Sequence, residues 1–316
     1  MLSRRVLLLS APLFAQSVPK PVPRFQATPQ PLDQVAFTRD GKELTRYYHG
    51  AELYRPFLHP IIGPSGRALT RMGHPHDPQG HSHHNSVWIS HEIVNGINFW
   101  GDGKTEKYGQ IRQARLRELK EGDRECAMTV DLTWSGGRET AILAERRRVT
   151  VRDLARGEWM LLLDLLFTAN REPVTFGQSA FGLIGVRMAK SIGVNDGGGQ
   201  LRNSEGLSDE PPMFRKPARW VDYSGPVANG PGGKVIQEGI TLLDHPANPG
   251  HPAPFHVRRD GWMGACLSFD GARVVQPGKP LALRYGLYVH AGVPAIEAIQ
   301  SVWKTYAAEA PASLIG

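Results

Sequence analysis

The sequence predicts an all-β protein, a large antiparallel β-sandwich completed by one C-terminal amphipathic helix. Short segments in which apolar and polar residues alternate recur at roughly ten-residue spacing along most of the chain. Turn dipeptides and Gly/Pro-rich breaks separate them. Helical periodicity is almost absent before Pro294. Such a run of strands fits a sandwich or a barrel, and of these the sandwich is the fold expected.

Residues 1–15, MLSRRVLLLSAPLFA, join Arg4 and Arg5 to a short apolar run and a small residue at Ala15, the pattern of an export signal. The apolar run is about half the ~20 residues that span a bilayer, and Ser10 and Pro12 interrupt it. Ser3-Arg4-Arg5 also approaches the twin-arginine pattern, so both export routes stay open. Residues 16–31 read as an extended proline-rich lead, and residues 32–316 as a single sandwich domain whose organised structure begins near Val35.

From there VAFTRDGKELTRYYH reads as two strands around Asp40-Gly41, a dipeptide that tolerates positive φ. RPFLHPIIGPSGRALTR turns at Pro64-Ser65-Gly66, SVWISHEIVNGINFW at Asn95-Gly96, and QARLRELKEGDRECAMTVDLTW around Glu121 to Asp123. AILAERRRVTV, WMLLLDLLFT, ITLLDH, GWMGACLSF and ALRYGLYVH supply further strands. Gly193 to Gly206 and Gly225 to Gly233 are glycine-rich and read as long loops. After Pro294, Ile296, Ile299, Val302 or Trp303, and Tyr306 recur at helical spacing, so the last element is a helix docked on the β body.

With 316 residues, 41% of them hydrophobic, the chain can bury a full core. Loss of the signal lowers the formal charge from +7 to +5, because it holds Arg4 and Arg5 and no acidic residue. That excess is modest and dispersed. The one tight basic run, residues 146–148, suits a solvated strand face, and no basic stripe interleaved with aromatics suggests nucleic acid. The most apolar later stretch, Trp159 to Phe167, is short and carries Asp164, so no membrane span is expected after signal cleavage. Cys126 and Cys266 lie in strand-like contexts without CxxC spacing and read as two buried thiols, with a single disulfide between them as the alternative.

Chemistry concentrates between Gly73 and His91, where GHPHDPQGHSHHNSVWISH holds six of the twelve histidines. Imidazole titrates near neutrality and is the commonest metal ligand, so the cluster suits proton transfer, metal binding, or both. If residues 83–91 form a strand, alternation sets His83, Val87 and His91 on one face and His84 and Trp88 on the other. His74 and His76, among Pro75, Pro78 and Gly80, suit a solvated loop. No spacing matches the helical HExxH zinc pair, so any metal would draw distant ligands, with His81, His83 and His256 the expected set.

A second grouping, DHPANPGHPAPFHVRRDGW, brings together Asp244, His245, His251 and His256 on a proline-stiffened segment. Asp244 can orient an imidazole or merely cap a turn, and His256 can serve chemistry or the strand. Glu145 is the carboxylate best suited to pair with a histidine in acid–base work, or alternatively with a strand arginine. Arg187, Asn203, Trp220, Tyr223 and Trp262 are candidates for binding hydroxyls and stacking on a sugar ring, each also with an ordinary structural reading. The sequence holds no GxSxG elbow, no Walker loop and no GxGxxG leading a helix, which argues against serine hydrolases and nucleotide enzymes.

At RPFLHPIIGPSGRALTR, HSHHNSVWISHEIVNGINFW, ARWVDYSG and DHPANPGHPAPFHV, taken in that order, the chain resembles the bacterial DUF6807 family, long labelled "methane oxygenase PmoA". The resemblance spans nearly the whole mature chain. The label transfers poorly, since a membrane methane monooxygenase subunit needs several spanning helices. The family motif resembles DHPHHRGLW followed by a histidine and VNGxDFW. His81, His83, His84, Trp88, His91, Asn95, Gly96, Phe99 and Trp100 match it, whereas Gly80, Ser82, Asn85 and Ser86 stand where aspartate, proline, arginine and glycine are expected. Loss of that arginine removes a forked donor and implies altered specificity or lost activity. The resemblance also implies a sandwich similar to the galactose-mutarotase supersandwich, in which histidine and glutamate move protons on a sugar. Likeness of fold does not by itself establish function.

These readings lead to an expected function as an exported, periplasmic or extracellular, carbohydrate-processing enzyme of epimerase, lyase or hydrolase type. It would act on a small sugar, keto-sugar or oligosaccharide, with His83, His84, His91, His256 and Glu145 as proton carriers. Arg187, Asn203, Trp220, Asp244, His245 and Trp262 would hold the substrate. Two alternatives stand beside it, a non-catalytic glycan-binding module and a metal-dependent hydrolase or oxygenase with a divalent metal as its cofactor.

Overall fold

The computed structural model describes residues 21–74, 76, 81–136 and 141–315. The export signal read at residues 1–15 lies outside them. Among the described residues the strands form two large antiparallel sheets. A nine-stranded front sheet runs, from edge to edge, Phe25–Gln30, Gln34–Arg39, Lys42–Tyr48, Phe57–Leu58, Val87–His91, Gly182–Arg187, Trp262–Cys266, Pro254–Arg258 and Lys216–Pro217. The eight-stranded back sheet runs Gln200–Asn203, Trp220–Asn229, Val235–Asp244, Leu281–Ala291, Trp159–Thr168, Ala141–Asp153, Glu125–Ser135 and Gln110–Lys120. Val174–Phe176 pairs with Arg273–Val275 in a small third sheet.

The antiparallel sandwich expected from alternation is therefore present, and neither large sheet closes into a barrel. Strand WMLLLDLLFT shows how the pattern works. Trp159, Leu161, Leu163, Leu165 and Phe167 point into the core between the sheets, with Val87, Ile89, Ile184, Val186 and Met263 of the front sheet in the same cluster. Its alternate residues Met160 and Leu162 point outward, beneath the C-terminal helix Ile296–Ala308. Because both faces are covered, the strand reads as almost continuously apolar. Ile299 and Tyr306 of the helix are buried, and Ile296, Val302 and Trp303 pack beside them.

The turns follow their sequence signals. Asp40 (φ 52) and Gly41 (φ 74) join two hairpin strands, and Asn95 (φ 49) and Gly96 (φ 80) close the tight turn between Val94 and Ile97. Consecutive positive φ values are what a two-residue hairpin turn of right-handed strands requires. Cys126 and Cys266 are both buried and unpaired.

Three expectations need correction. Phe25–Gln30, inside the stretch read as a lead, already pairs with Gln34–Arg39, because Phe25 and Ala27 bury into the core and offset the neighbouring prolines. Gly193–Gly206 is not a loop throughout, since it contains the short helix Val194–Gly197 and strand Gln200–Asn203. Most of Gly225–Gly233 likewise belongs to strand Trp220–Asn229 or to a short 3-10 turn at Pro231–Gly233.

The basic run at residues 146–148 splits by parity. Arg146 and Arg148 point outward to Asp131 (2.8 Å) and Glu118 (2.7 Å). Arg147 points into the sandwich with Glu145, whose Oε1 accepts from Arg147 Nε at 2.6 Å and whose Oε2 accepts from Trp134 Nε1 at 2.7 Å. Glu145 is therefore a core ion-pair partner and meets no histidine. Losing one member of a buried pair strands the other charge, so Glu145→Gln is expected to cost about 3–5 kcal/mol in urea unfolding. An unchanged unfolding midpoint would show that the pair is not structural.

Candidate functional site

The site grows from two rows of residues on the outer face of the front sheet. Antiparallel register aligns Phe57, Trp88, Gly185, Gly264 and His256 across five strands. The next row aligns Arg187, Trp262 and Arg258. Their strand neighbours Val87, Ile89, Ile184, Val186, Val257 and Met263 belong to the inter-sheet core. Alternation therefore leaves this face to a second apolar cluster of Phe57, Trp88, Trp100 and Trp262.

Two glycines make the floor. A Cβ on Gly185 would stand 2.7 Å from the indole of Trp88 and 2.8 Å from that of Trp262, and one on Gly264 would stand 2.9 Å from Trp262. Any side chain there would lift the indoles. With glycine, the Trp88 and Trp262 ring centroids lie 5.3 Å apart, and the His84 ring stacks against both, at 5.5 and 5.4 Å. Trp100 closes the group at 5.2 Å from Trp88 and 5.5 Å from Trp262.

Over this floor opens a cavity of about 320 Å³, lined in part by His81, His83, His84, Arg187, His256 and Trp262. That volume lies at the small end of ligand pockets, which span about 300–1,000 Å³. His81, His83 and His84 crowd together, with centroid separations of 4.5 to 5.9 Å. One loop carries all three, and buried Arg55 ties it to the neighbouring loop at Phe99 and Gly101. It donates to the carbonyls of His83 (3.0 Å) and Phe99 (3.1 Å), to Asn85 Oδ1 (2.8 Å), and to the Gly101 carbonyl.

Ser86, where the resembled motif has glycine, takes φ 59, the left-handed region in which glycine is cheapest. Its hydroxyl donates to Thr70 Oγ1 at 2.7 Å, which offsets part of the strain. Gly80, the departure at the motif's aspartate, lies outside the described residues.

Electrostatics leave the imidazoles of His83, His84 and His256 neutral at pH 7. Burial, reinforced by nearby Arg55, holds His83 down at about 4. Burial also lowers His256 to about 4, and burial together with His83 and Arg187 lowers His84 further. His256 Nδ1 faces the Ala180 carbonyl at 3.3 Å. A carbonyl only accepts, so Nδ1 carries the hydrogen and Nε2 keeps a lone pair. The His84 Nδ1 atom is buried with no partner.

Arg187, fully buried, donates from Nη1 to Asp260 Oδ1 at 2.8 Å, while its Nε and Nη2 have no partner. The other Asp260 oxygen, Oδ2, meets His74 Nε2 at 3.0 Å. Burial opposes ionisation of Asp260, but the hydrogen bond and charge of Arg187 outweigh it and hold the carboxyl below its ordinary range.

Of the residues singled out from sequence, His81, His83, His84, Trp100, Arg187, His256 and Trp262 meet in this pocket. The others do not. His91 ends the strand Val87–His91 on the inner face, where Ile93 N donates to its Nδ1 and Nε2 meets Ser268 Oγ at 2.8 Å; it is a satisfied core histidine. Asn203 accepts from the backbone N–H groups of Glu205 and Leu207 and caps a turn. Trp220 packs beneath the C-terminal helix and donates to Gln300.

Tyr223 donates to backbone carbonyls beside the Asp260 turn. Asp244 organises its own loop by accepting from Asn248, His251 and Ala253, and His245 meets the Glu309 carbonyl. Of Asp244, His245, His251 and His256 only His256 reaches the pocket, where Arg258, Asp260 and Trp262 from the end of the same segment join it. His74, read as loop, is instead tied to Asp260. Among the described residues no group of three or more His, Cys, Asp or Glu side chains is arranged to hold a metal ion, so His81, His83 and His256 are not a preassembled ligand set.

Sequence reasoning missed Asp260, Glu92 and Phe181, which also line the cavity. Asp260-Gly261 carries the signal of a turn, but nothing local reveals that the turn abuts Arg187. Among the described residues no helix is long and apolar enough to cross a membrane.

Residues 34–304 match the model of DUF6807, described as a family of unknown function, and the chain belongs to that family. No curated protein matches the sequence. Among solved structures, one titled "Crystal Structure Analysis of HI1317" is 11% identical, with 84% of this chain and 98% of that chain covered. Its TM-score of 0.27 is too low to carry an argument.

The floor and the imidazoles each yield an expected outcome. Gly185→Ala should cost about 1–3 kcal/mol by overpacking and change the tryptophan near-UV circular dichroism; an unaltered spectrum would remove the glycine floor. His83, His91 and His256 have folded pKa values near 4, below the unfolded 6.5, so the unfolded chain binds more protons between those values. Stability present above pH 6.5 is therefore lost as pH falls toward 4. The Tm should drop by several degrees between pH 7 and pH 5, and a flat profile over that window would contradict the burial of these rings.

Proposed function

We propose that this member of the DUF6807 family is an exported carbohydrate-processing enzyme that moves protons on a sugar or keto-sugar bound at the front-sheet pocket. The observation that carries the reading is the conjunction of neutral imidazoles, aromatic walls and unpartnered donors in one small cavity. Aromatic faces suit the C–H faces of a sugar ring, while polar groups at fixed positions suit its hydroxyls. Neutral imidazoles are proton acceptors. His256 is the best placed, because its Nδ1 is held by the Ala180 carbonyl and Nε2 is left to take a proton from a hydroxyl or from the carbon beside a carbonyl.

The His256 imidazolium so formed would return that proton to the substrate, while neutral His83 and His84 would hydrogen-bond its hydroxyls. Arg187 would hydrogen-bond the oxygen on which negative charge develops, an electrostatic contribution strengthened by its burial. His91 and Glu145, bound within the core, take no part. The same pocket without turnover would be a glycan-binding module.

A panel of glycosides and 3-keto-glycosides tests the reading. His256→Gln should lower kcat/KM by about 10²–10⁴-fold, the usual contribution of a positioned base, with Tm little changed. Turnover equal to wild type in His256→Gln or His84→Ala would sink the site assignment. Sugar-induced stabilisation with no turnover of any substrate would favour the binding module. A base held near 4 in the free protein is unprotonated through neutrality, so kcat/KM should be level from pH 8 to pH 6 and fall as pH approaches 4.

A further inference from the structure

Arg187 is buried, yet two of its donors lack partners. Its Nη1 is held by Asp260 at 2.8 Å, but Nε and Nη2 contact no acceptor. Nε and Nη2 lie side by side on one edge of the planar guanidinium, so the unmatched donors form a parallel fork. Unmatched donors on a desolvated cation are costly, and natural interiors rarely leave them. The nearby carboxylates do not fill the fork. Asp260 spends one oxygen on Arg187 Nη1 and the other on His74, and Glu92 accepts from Ser179 Oγ at 2.5 Å. Arg258, the other guanidinium lining the cavity, donates from Nη1 to Glu210 at 2.8 Å and is exposed enough for water to meet its remaining donors.

A hydroxyl or a carbonyl presents one oxygen to this edge, whereas a carboxylate presents two in the plane and spacing of the fork. We propose that the ligand of this pocket carries a carboxylate seated on the Nε–Nη2 edge of Arg187, so that the substrate class is an acidic sugar, a uronic or aldonic acid. The inference rests on the carbohydrate reading above and adds the charged group. Asp260 then acts as the positioning residue, holding the far end of the guanidinium so that the free edge keeps its orientation. Trp262, register partner of Arg187, and Trp100 beside it supply the wall along which the sugar ring lies.

Calorimetric titration of the intact protein with glucose, galactose, glucuronate, galacturonate, glucose 6-phosphate and succinate tests this. A uronate should bind at least ten times more tightly than its neutral parent. Arg187→Lys, which keeps the charge and loses the fork, should bring the uronate to within about threefold of the neutral sugar. Equal affinity for a uronate and its parent overturns the carboxylate seat and leaves the carbohydrate reading standing. Tighter binding of glucose 6-phosphate than of either uronate overturns the carboxylate in favour of a tetrahedral anion.

Succinate as tight as the uronates supports the seat and overturns the sugar. No binding of any compound overturns both. If Arg187→Lys does not fold, the wild-type panel decides alone, since each of these comparisons is made without a substitution.

Discussion

Two glycines facing each other across neighbouring strands set the terms for everything on the front of this molecule. Where Gly185 meets Gly264, the sheet surface has no side chains of its own, and the indoles of Trp88 and Trp262 lie down into the vacancy. Their burial makes the front sheet apolar on both faces, which is why strand VWISH is buried at every position. It also supplies the two flat surfaces against which His84 stacks. The histidine segment is fixed to the sheet through that stacking and through the hydrogen bonds of Arg55, so the geometry of the pocket depends on packing as much as on polar contacts.

Much of this was legible in the sequence, and the limits of legibility have a physical cause. Alternation marked strands such as WMLLLDLLFT and ALRYGLYVH because side-chain period is a local property, and Asp40-Gly41 and Asn95-Gly96 marked turns because positive φ is a local demand. Alternation separated Trp88 from His91, but it wrongly set His83 with His91, because the strand begins only at Val87 and His83 lies beside His84 in the pocket. It could not say which face is the core. His91 and Glu145 sit on the inner faces of their strands, and nothing local distinguishes an inward histidine held by Ser268 from an outward one lining a pocket. The register that brings His256 beside Gly264 and Trp88 beside Gly185 joins segments far apart in the chain, and such pairings are decided by the whole sheet. The resemblance to DUF6807 pointed to His81, His83, His84 and Trp100, which meet in the pocket, but equally to Asn95 and Phe99, which serve a turn and the core.

Two buried guanidiniums show opposite solutions to one electrostatic problem. Arg147 is matched within the sandwich by Glu145, with both carboxylate oxygens engaged. Arg187 is matched at one end only. A closed pair stabilises a single arrangement and offers nothing to a visitor, whereas a half-closed pair is pre-oriented and still has bonds to give. That contrast, more than the number of histidines, separates the residues that hold the fold from those available for chemistry.

The hydrogen bond from Arg55 to Asn85 bears on how this chain could have diverged from its relatives. Asn85 occupies the place where the resembled motif carries arginine, and its Oδ1 receives Arg55 Nη1 at 2.8 Å. An arginine introduced at 85 alone would confront Arg55 cation to cation in a confined space. The two positions are therefore coupled: an arginine at 85 would need a different partner at 55, so the residue at 85 bears first on how the loop is anchored.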